Sequence, residues 1–292
     1  MRAETFSIRS SHGSKSAVEK AAQGIFTACG FFAVLAVASI TLYMLISGTP
    51  ALFKVGLLEI LFGTVWQPAA ASPSFGILFV ILTSIVGTFL AILIGVPIGV
   101  MTAIFLAEVA PKRLSDMVRP AVELLAGIPS VIYGLLGILI LNPLMYKMEL
   151  MLFKGSETHQ FTGGANLISA VLVPAHLKSA SLALGATKIQ TIFQVIVPAA
   201  KSGIITAVVL GTGRAIGEAM AISLVSGSSV NLPLPFNSVR FLTTAIVSEM
   251  GYAAGLHRQV LFTIGLVLFA FIMIINISLT RILKKGGNRN DK

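Results

Sequence analysis

Charge is scarce in this sequence. Of its 292 residues only 11% are Asp, Glu, Lys or Arg, while 55% are hydrophobic, which leaves too little polar surface to cover a water-soluble globule of that length. Cysteine is nearly absent: Cys29 stands alone inside an apolar run, so an intrachain disulfide is excluded and a cysteine-based metal site lacks ligands. It reads as a small lipid-facing or packing residue. The four histidines, His12, His159, His176 and His257, are scattered without metal-ligand spacing. A G-x-x-x-x-G-K-[ST] phosphate loop is missing too; the nearest approach, Gly13-Ser14-Lys15-Ser16, lacks both the spacing and a preceding strand, so the chain does not itself hydrolyse ATP. No catalytic residues, metal site or cofactor site are expected in this chain. Fixed-period repeats and low-complexity tracts are also lacking.

What the sequence has in quantity is long runs without charge: residues 24–47, 75–107, 124–146 and 259–280. About 20 apolar helical residues cross a hydrocarbon layer about 30 Å thick, so each run predicts a membrane span. The second exceeds one straight crossing and is expected to tilt, to kink near Pro97, or to run into the headgroups. The first follows a polar segment and is longer than a signal-peptide core, which reads as an uncleaved anchor.

The net charge of +10 raises the question of nucleic acid, but a nucleic-acid surface interleaves basic side chains with stacking aromatics. Here the basic residues sit at the ends of spans. Arg2, Arg9, Lys15 and Lys20 precede the first; Lys112, Arg113 and Arg119 separate the second and third; Arg281, Lys284, Lys285, Arg289 and Lys292 follow the last. The positive-inside rule makes all three segments cytoplasmic, and the partner they imply is a lipid bilayer rather than nucleic acid. The expected plan is a cytoplasmic N-terminal segment over 1–23, one membrane domain over 24–283, and a basic cytoplasmic tail over 284–292.

Parity then poses a problem. Three spans from a cytoplasmic start leave residues 142–164 outside, yet Lys178, Lys188 and Lys201 have no acidic residue among them and read as cytoplasmic. Between these stretches lies only the short apolar run 165–173. A further span over about 202–227 leads out to a loop with Pro233, Pro235 and Arg240, and the last span returns to the basic tail. The charges therefore demand six crossings, whereas five are written out. Either 165–173 crosses by an unusual arrangement or about one helix is absent; the second reading is favoured.

Within the cytoplasmic loop, about 174–201, two short helices are predicted to meet at Gly185. Ala180 and its neighbours favour helix, Gly185 can end it in the left-handed conformation, and Pro198 closes the second piece. Ile189, Ile192, Phe193 and Ile196 recur at i, i+3, i+4 and i+7, an apolar stripe that packs either under the bundle or against a partner. The sequence Ser179-Ala180-Ser181-Leu182-Ala183-Leu184-Gly185 followed by Val195-Ile196-Val197-Pro198 resembles the Glu-Ala-Ala loop of ABC importer permeases, with Ser179 where that family usually has Glu. Further blocks, Gly127-Ile-Pro-Ser-Val-Ile-Tyr-Gly134, Gly203-Ile-Ile-Thr-Ala-Val208 and Gly213-Arg-Ala-Ile-Gly-Glu218, make the chain from about residue 75 onward similar to phosphate permeases of the PstC type. The resemblance implies an all-α polytopic fold, the type I importer bundle of six spans, with the fourth largely missing before Pro174. It also implies a bacterial inner or plasma membrane location. The implied partners are a second homologous permease subunit, a cytoplasmic ATPase dimer and an external phosphate-binding protein. Ser179, Ala180, Gly185, Ile189, Phe193 and Pro198 would then form the ATPase-coupling element.

Arg214 and Glu218 fall inside the span over about 202–227, where each charge costs about 2.5–3.5 kcal/mol on insertion scales. At i and i+4 on one continuous helix they share a face and can pair. They serve either as a packing ion pair, helped by the Gly213/Gly217 spacing, or as the point where Arg214 offers donors to a passing phosphate while Glu218 competes for them. Gly95 and Gly99 repeat that spacing and read as helix contacts. Ser130 and Tyr133, beside Pro129, are weaker candidates for the substrate path, since such hydroxyls often bond to backbone near a proline. Glu108, Glu123 and Glu249 read as interfacial or solvated.

Three rival functions stay open at this level. One is an ABC permease for another oxyanion such as molybdate or sulfate; another is a proton-coupled secondary transporter working through Glu218; the third is a non-transporting sensor. With Cys29 replaced, single cysteines at Ser156, Lys188 and Lys285 test the topology: a membrane-impermeant thiol reagent added outside labels position 156 and leaves 188 and 285 untouched. Labelling at 188 from outside overturns the six-crossing requirement.

Overall fold

The computed structural model describes residues 12–154, 159–176 and 201–287, whose regular elements are helices apart from one two-stranded hairpin. Chain contacts divide them into a first unit ending at Ile46 and a second beginning at Ser47. The first is the long lead of helix α1 (His12–Lys54), whose stretch Lys20–Lys54 has the length and apolarity of a membrane span. Apolar side chains face outward all round it, as lipid allows and water does not. The hydroxyls of Thr27 and Thr41 donate to the carbonyls of Gln23 and Val37, four residues back, so neither is left unpaired in an apolar setting.

The second unit continues with α2 (Leu57–Phe62), the hairpin β1 (Trp66–Gln67) and β2 (Ser74–Phe75), and α3 (Leu78–Ile104). The strands are antiparallel, with Trp66 opposite Phe75. The long second span is resolved as one helix that continues through Pro97 and adds a π-helical turn, Phe105–Val109, before extended Ala110 and Pro111 stop it. Helix α4 (Lys112–Gly127) carries the basic loop, tied back by the Ser115 hydroxyl on the Leu106 carbonyl. Pro129 then sets the start of α5 (Ser130–Leu136), which runs through a second π turn, Gly137–Leu141, into α6 (Asn142–Leu152). After α7 (Leu167–His176) come α8 (Lys201–Gly217), α9 (Met220–Val225), α10 (Leu242–Glu249) and α11 (Gly255–Gly287).

Among the described residues four helical stretches suffice to cross a membrane: Lys20–Lys54, Leu78–Ala107, Ser130–Leu152 and Gly255–Arg281. The chain is therefore an all-α polytopic protein. Of the run over 165–173, residues 167–173 lie in α7, whose described residues, Leu167–His176, extend about 15 Å. It is packed inside the protein: Asn166, Leu167, Ser169, Ala170 and Val171 are buried against α3 and α9. The predicted continuous span over 202–227 is corrected, because the helix stops at Gly217 and restarts at Met220.

Two buried clusters hold the second unit. Ala51, Ile60, Ile77, Val80, Leu242 and Val260 centre one; Ala91, Leu167, Ala221, Val225, Val239 and Phe241 centre the other. The second depends on close backbone approach. Gly164 lies at φ +83°, and a β-carbon there would overlap the Asn142 carbonyl and come within 2.9 Å of its α-carbon. Gly164→Ala combines left-handed strain of about 1–2 kcal/mol with an overpacking cost of about 1–3 kcal/mol. The expected outcome is a clear loss of thermal stability of the purified chain; a melting curve matching the parent would overturn this view of the α6–α7 connection.

Candidate functional site

The interruption between α8 and α9 falls within the predicted Arg214–Glu218 pair. Arg214 belongs to the last turn of α8 and is exposed, whereas Glu218 lies past the helix end and is buried. Its carboxylate accepts the Ala221 amide at 3.2 Å, meeting one of the donors that the start of α9 leaves open. The two residues therefore do not share the face of one helix, and the i, i+4 geometry expected from spacing does not apply. Gly213 and Gly217 give no sign of a tight helix crossing, since a β-carbon on either would meet no described atom within 4 Å. Close approach instead occurs at Gly134, where a β-carbon would come within 2.8 Å of the Ala221 α-carbon.

Tyr133, half-buried in α5, donates its hydroxyl to the Leu125 carbonyl across the Pro129 break, the backbone use that proline contexts favour. Ser130 opens the same helix and is half-buried. Ser179, Ala180, Gly185, Ile189, Phe193 and Pro198 lie outside the described residues.

Two buried carboxylates carry most of the polar structure, and both were misjudged or passed over at the sequence level. Glu249 is not solvated: it is 4% exposed at the end of α10. It accepts the Trp66 indole at 3.1 Å and lies 2.7 Å from a His257 ring nitrogen. The Arg240 guanidinium pairs with it as well, while Arg240 Nε donates to the Ser228 carbonyl at 2.7 Å. Three donors from three segments converge because a buried carboxylate without them would cost several kcal/mol. Glu149, wholly buried in α6, is the second: a His159 ring nitrogen lies at 2.8 Å and the Thr162 amide at 2.9 Å. His159 stacks on Phe153 at 3.8 Å, which fixes its ring. The usable signal was an acidic residue in an apolar setting with His and Thr following at i+10 and i+13, but that spacing belongs to no helix or strand period. Among the described residues no group of His, Cys, Asp or Glu could hold a metal ion.

Removing a partner from a buried ion pair costs about 3–5 kcal/mol. Glu249→Ala strands Arg240 and frees the only tryptophan, so the purified chain is expected to melt at lower temperature with red-shifted Trp66 emission. Unchanged emission and melting would remove Glu249 from its structural role.

Comparison with known proteins places these features. Residues 95–286 match the family described as binding-protein-dependent transport system inner membrane component. The chain is 36% identical over 275 residues to the probable ABC transporter permease protein YqgH of Bacillus subtilis, covering 86% of this chain and 87% of the relative. It is 34% identical over 298 residues to the phosphate transport system permease protein PstC of Xylella fastidiosa, covering 90% and 91%. The PstC protein of Pasteurella multocida is 34% identical over 259 residues, covering 77% and 80%. In the Xylella alignment, 298 positions against 90% of 292 residues leave about 35 positions of the relative opposite gaps in this chain. The Pasteurella alignment, 259 positions against 77%, leaves about 34. Among solved structures, a chain of the MetNI methionine ABC transporter in an inward-facing conformation shares 16% identity, covers 72% of this chain and 94% of its own, and superposes with a TM-score of 0.42. Long apolar helices and the family match over 95–286 converge: this chain belongs to the inner-membrane components of binding-protein-dependent transport systems, as a multi-pass, non-catalytic permease subunit.

Proposed function

We propose that the chain is the translocation subunit of an ATP-driven importer of inorganic phosphate. The observation that carries this reading is the combination of relatives named as phosphate permeases, 34% identical over most of the chain, with one arginine in the last turn of α8 beside a helix break. Arg214 offers a fork of donors suited to phosphate oxygens. Glu218, buried two residues before α9, holds the break open by capping the Ala221 amide, so the neighbouring backbone has a defined shape where an anion would pass. One guanidinium does not balance a phosphate dianion, so a second homologous permease subunit brings further positive charge. Ser130 and Tyr133 are placed in the same path in this reading.

The N-terminus and the basic tail are cytoplasmic in this scheme, with 24–283 as the permease domain. The loop over about 174–201 docks on a cytoplasmic ATPase dimer through Ala180, Gly185, Ile189, Phe193 and Pro198, with Ser179 standing where a carboxylate is usual. An external phosphate-binding protein delivers the substrate. The type I bundle of this reading has its fourth span largely missing; summed over their alignments, the PstC relatives of Xylella and Pasteurella have about 34–35 positions without a partner in this chain and YqgH, 275 positions against 86% of 292 residues, about 24. Charge parity asks for the missing piece between 150 and 178, where the described residues hold the end of α6 and the short, buried α7.

The test is phosphate uptake by cells that lack other phosphate importers and express the assembled transporter. Arg214→Gln is expected to cut uptake at least tenfold while the subunit keeps its membrane abundance. Normal uptake by that variant would remove Arg214 from the pathway. Stronger inhibition by sulfate or molybdate than by unlabelled phosphate would reassign the substrate, and uptake without the ATPase would favour the proton-coupled alternative.

A further inference from the structure

Helix α4 (Lys112–Gly127) belongs to neither of the spans it joins. The chain before it ends a span at Ala107, and the chain after it opens the next at Ser130. Five of its sixteen residues are charged, Lys112, Arg113, Asp116, Arg119 and Glu123, so it is not itself a crossing. Ala110 and Pro111 before it are extended, as are Ile128 and Pro129 after it, which separates it from the helices on both sides. The helical period divides its residues into two arcs. Lys112, Arg113, Asp116 and Pro120 fall on one; Leu114, Met117, Leu124 and Leu125 fall on the other, with Val118 and Val122 at its edge.

Pro120 has no amide to offer the Asp116 carbonyl, and both residues are exposed on the polar arc, where water takes that bond. The Ser115 hydroxyl, donating to the Leu106 carbonyl at 3.0 Å, fixes which edge meets the protein: Ser115 is buried, and Val118 and Val122 on the same side are half-buried. The rest of the apolar arc points away. Met117 is 69% exposed and Leu124 73%, and Leu114 and Leu125 are exposed as well. Exposed Phe105 and Val109 precede this arc and exposed Val131 and Leu135 follow it, so it continues the lipid-facing surface of its two neighbours where their crossings end. On the polar arc Lys112 and Arg113 are both exposed, and neither has an ion-pair partner among the described residues.

We propose that α4 lies in the membrane surface: Leu114, Met117, Leu124 and Leu125 enter the acyl layer, and Lys112 and Arg113 bind the headgroups of anionic phospholipids. An apolar arc opposite a polar one, in a helix too charged to cross, is the pattern of a helix lying at the boundary between headgroups and acyl chains. Two adjoining cations at the level where a span leaves the hydrocarbon match the negative phosphates found there, and their apolar stems let them reach that level from the helix. The lipid that covers the two spans therefore covers α4 too, and the helix holds both span ends at a set depth. The inference uses the membrane placement of the spans and holds whichever ion is transported.

The test uses the full transporter, with Cys29→Ala in this chain and cysteine-free partners, in vesicles of phosphatidylcholine and phosphatidylglycerol. A polarity-sensitive fluorophore on Met117→Cys is expected to be quenched at least threefold more by lipids spin-labelled near the headgroup end of the acyl chain than by aqueous iodide, whereas the same probe on Asp116→Cys shows the reverse order. Spin-labelled phosphatidylglycerol is expected to quench the Met117→Cys probe at least twofold more than spin-labelled phosphatidylcholine at equal mole fraction. Lys112→Gln with Arg113→Gln is expected to bring that ratio to unity while the subunit keeps its membrane abundance. Equal quenching by the two lipids in the chain that retains Lys112 and Arg113 overturns the headgroup site. Shielding of the Met117→Cys probe from both lipid and iodide makes the arc a protein-docking face and overturns the proposal, as does quenching by iodide alone.

Discussion

The bundle turns on the place where α10 is pinned to α3. Phe241 fills the space that only a glycine at position 87 leaves open, and the Leu242 amide reaches the Ser84 hydroxyl one turn earlier. A helix N-terminus inside an apolar bundle is tolerable only when its amides find partners. The anchor meets that condition for one amide. Phe241 and Val239 join Ala91 of α3 with Leu167 of α7 and Val225 of α9 in one buried cluster, so the same contact positions the short helix and the helix break.

Charge is managed by the same rule at two other places. Glu249 and Glu149 are buried carboxylates, and each is wrapped by donors from separate segments rather than left to solvent. Such pairs contribute specificity more dependably than net stability, because desolvation offsets most of the attraction. Glu249 ties the hairpin, the segment at Arg240 and the start of α11 to α10, whereas Glu149 closes the turn between α6 and α7 through Thr162. Glu218 is a smaller version: it satisfies the opening amide of α9 and so stabilises the interruption beside Arg214.

Much was legible in the sequence where the cause is local or cumulative. Long uncharged runs pointed to membrane helices, and four described helices in those regions are long and apolar enough to cross, the third as Ser130–Leu152 after a break at Pro129. The short 165–173 run lies largely in a helix whose described residues, Leu167–His176, are mostly buried up to Val171. The family was readable from the blocks at 127–134, 203–208 and 213–218, which fall within or beside the matched region.

What depended on contacts far apart in sequence could not be read that way. The pairing of Trp66 with Glu249 spans 183 residues and that of Ser84 with Leu242 spans 158, and no periodicity links such positions. Periodicity made Arg214 and Glu218 neighbours on one helix; the helix instead stops at Gly217, where Glu218 accepts the Ala221 amide and α9 packs against α5 and α7. The sequence by itself thus determined that this protein lives in a membrane and which family it joins, since those follow from summed hydropathy and contiguous motifs. Only the tertiary structure decided which carboxylates are buried and where helices break, since those depend on what the rest of the chain brings within hydrogen-bond reach.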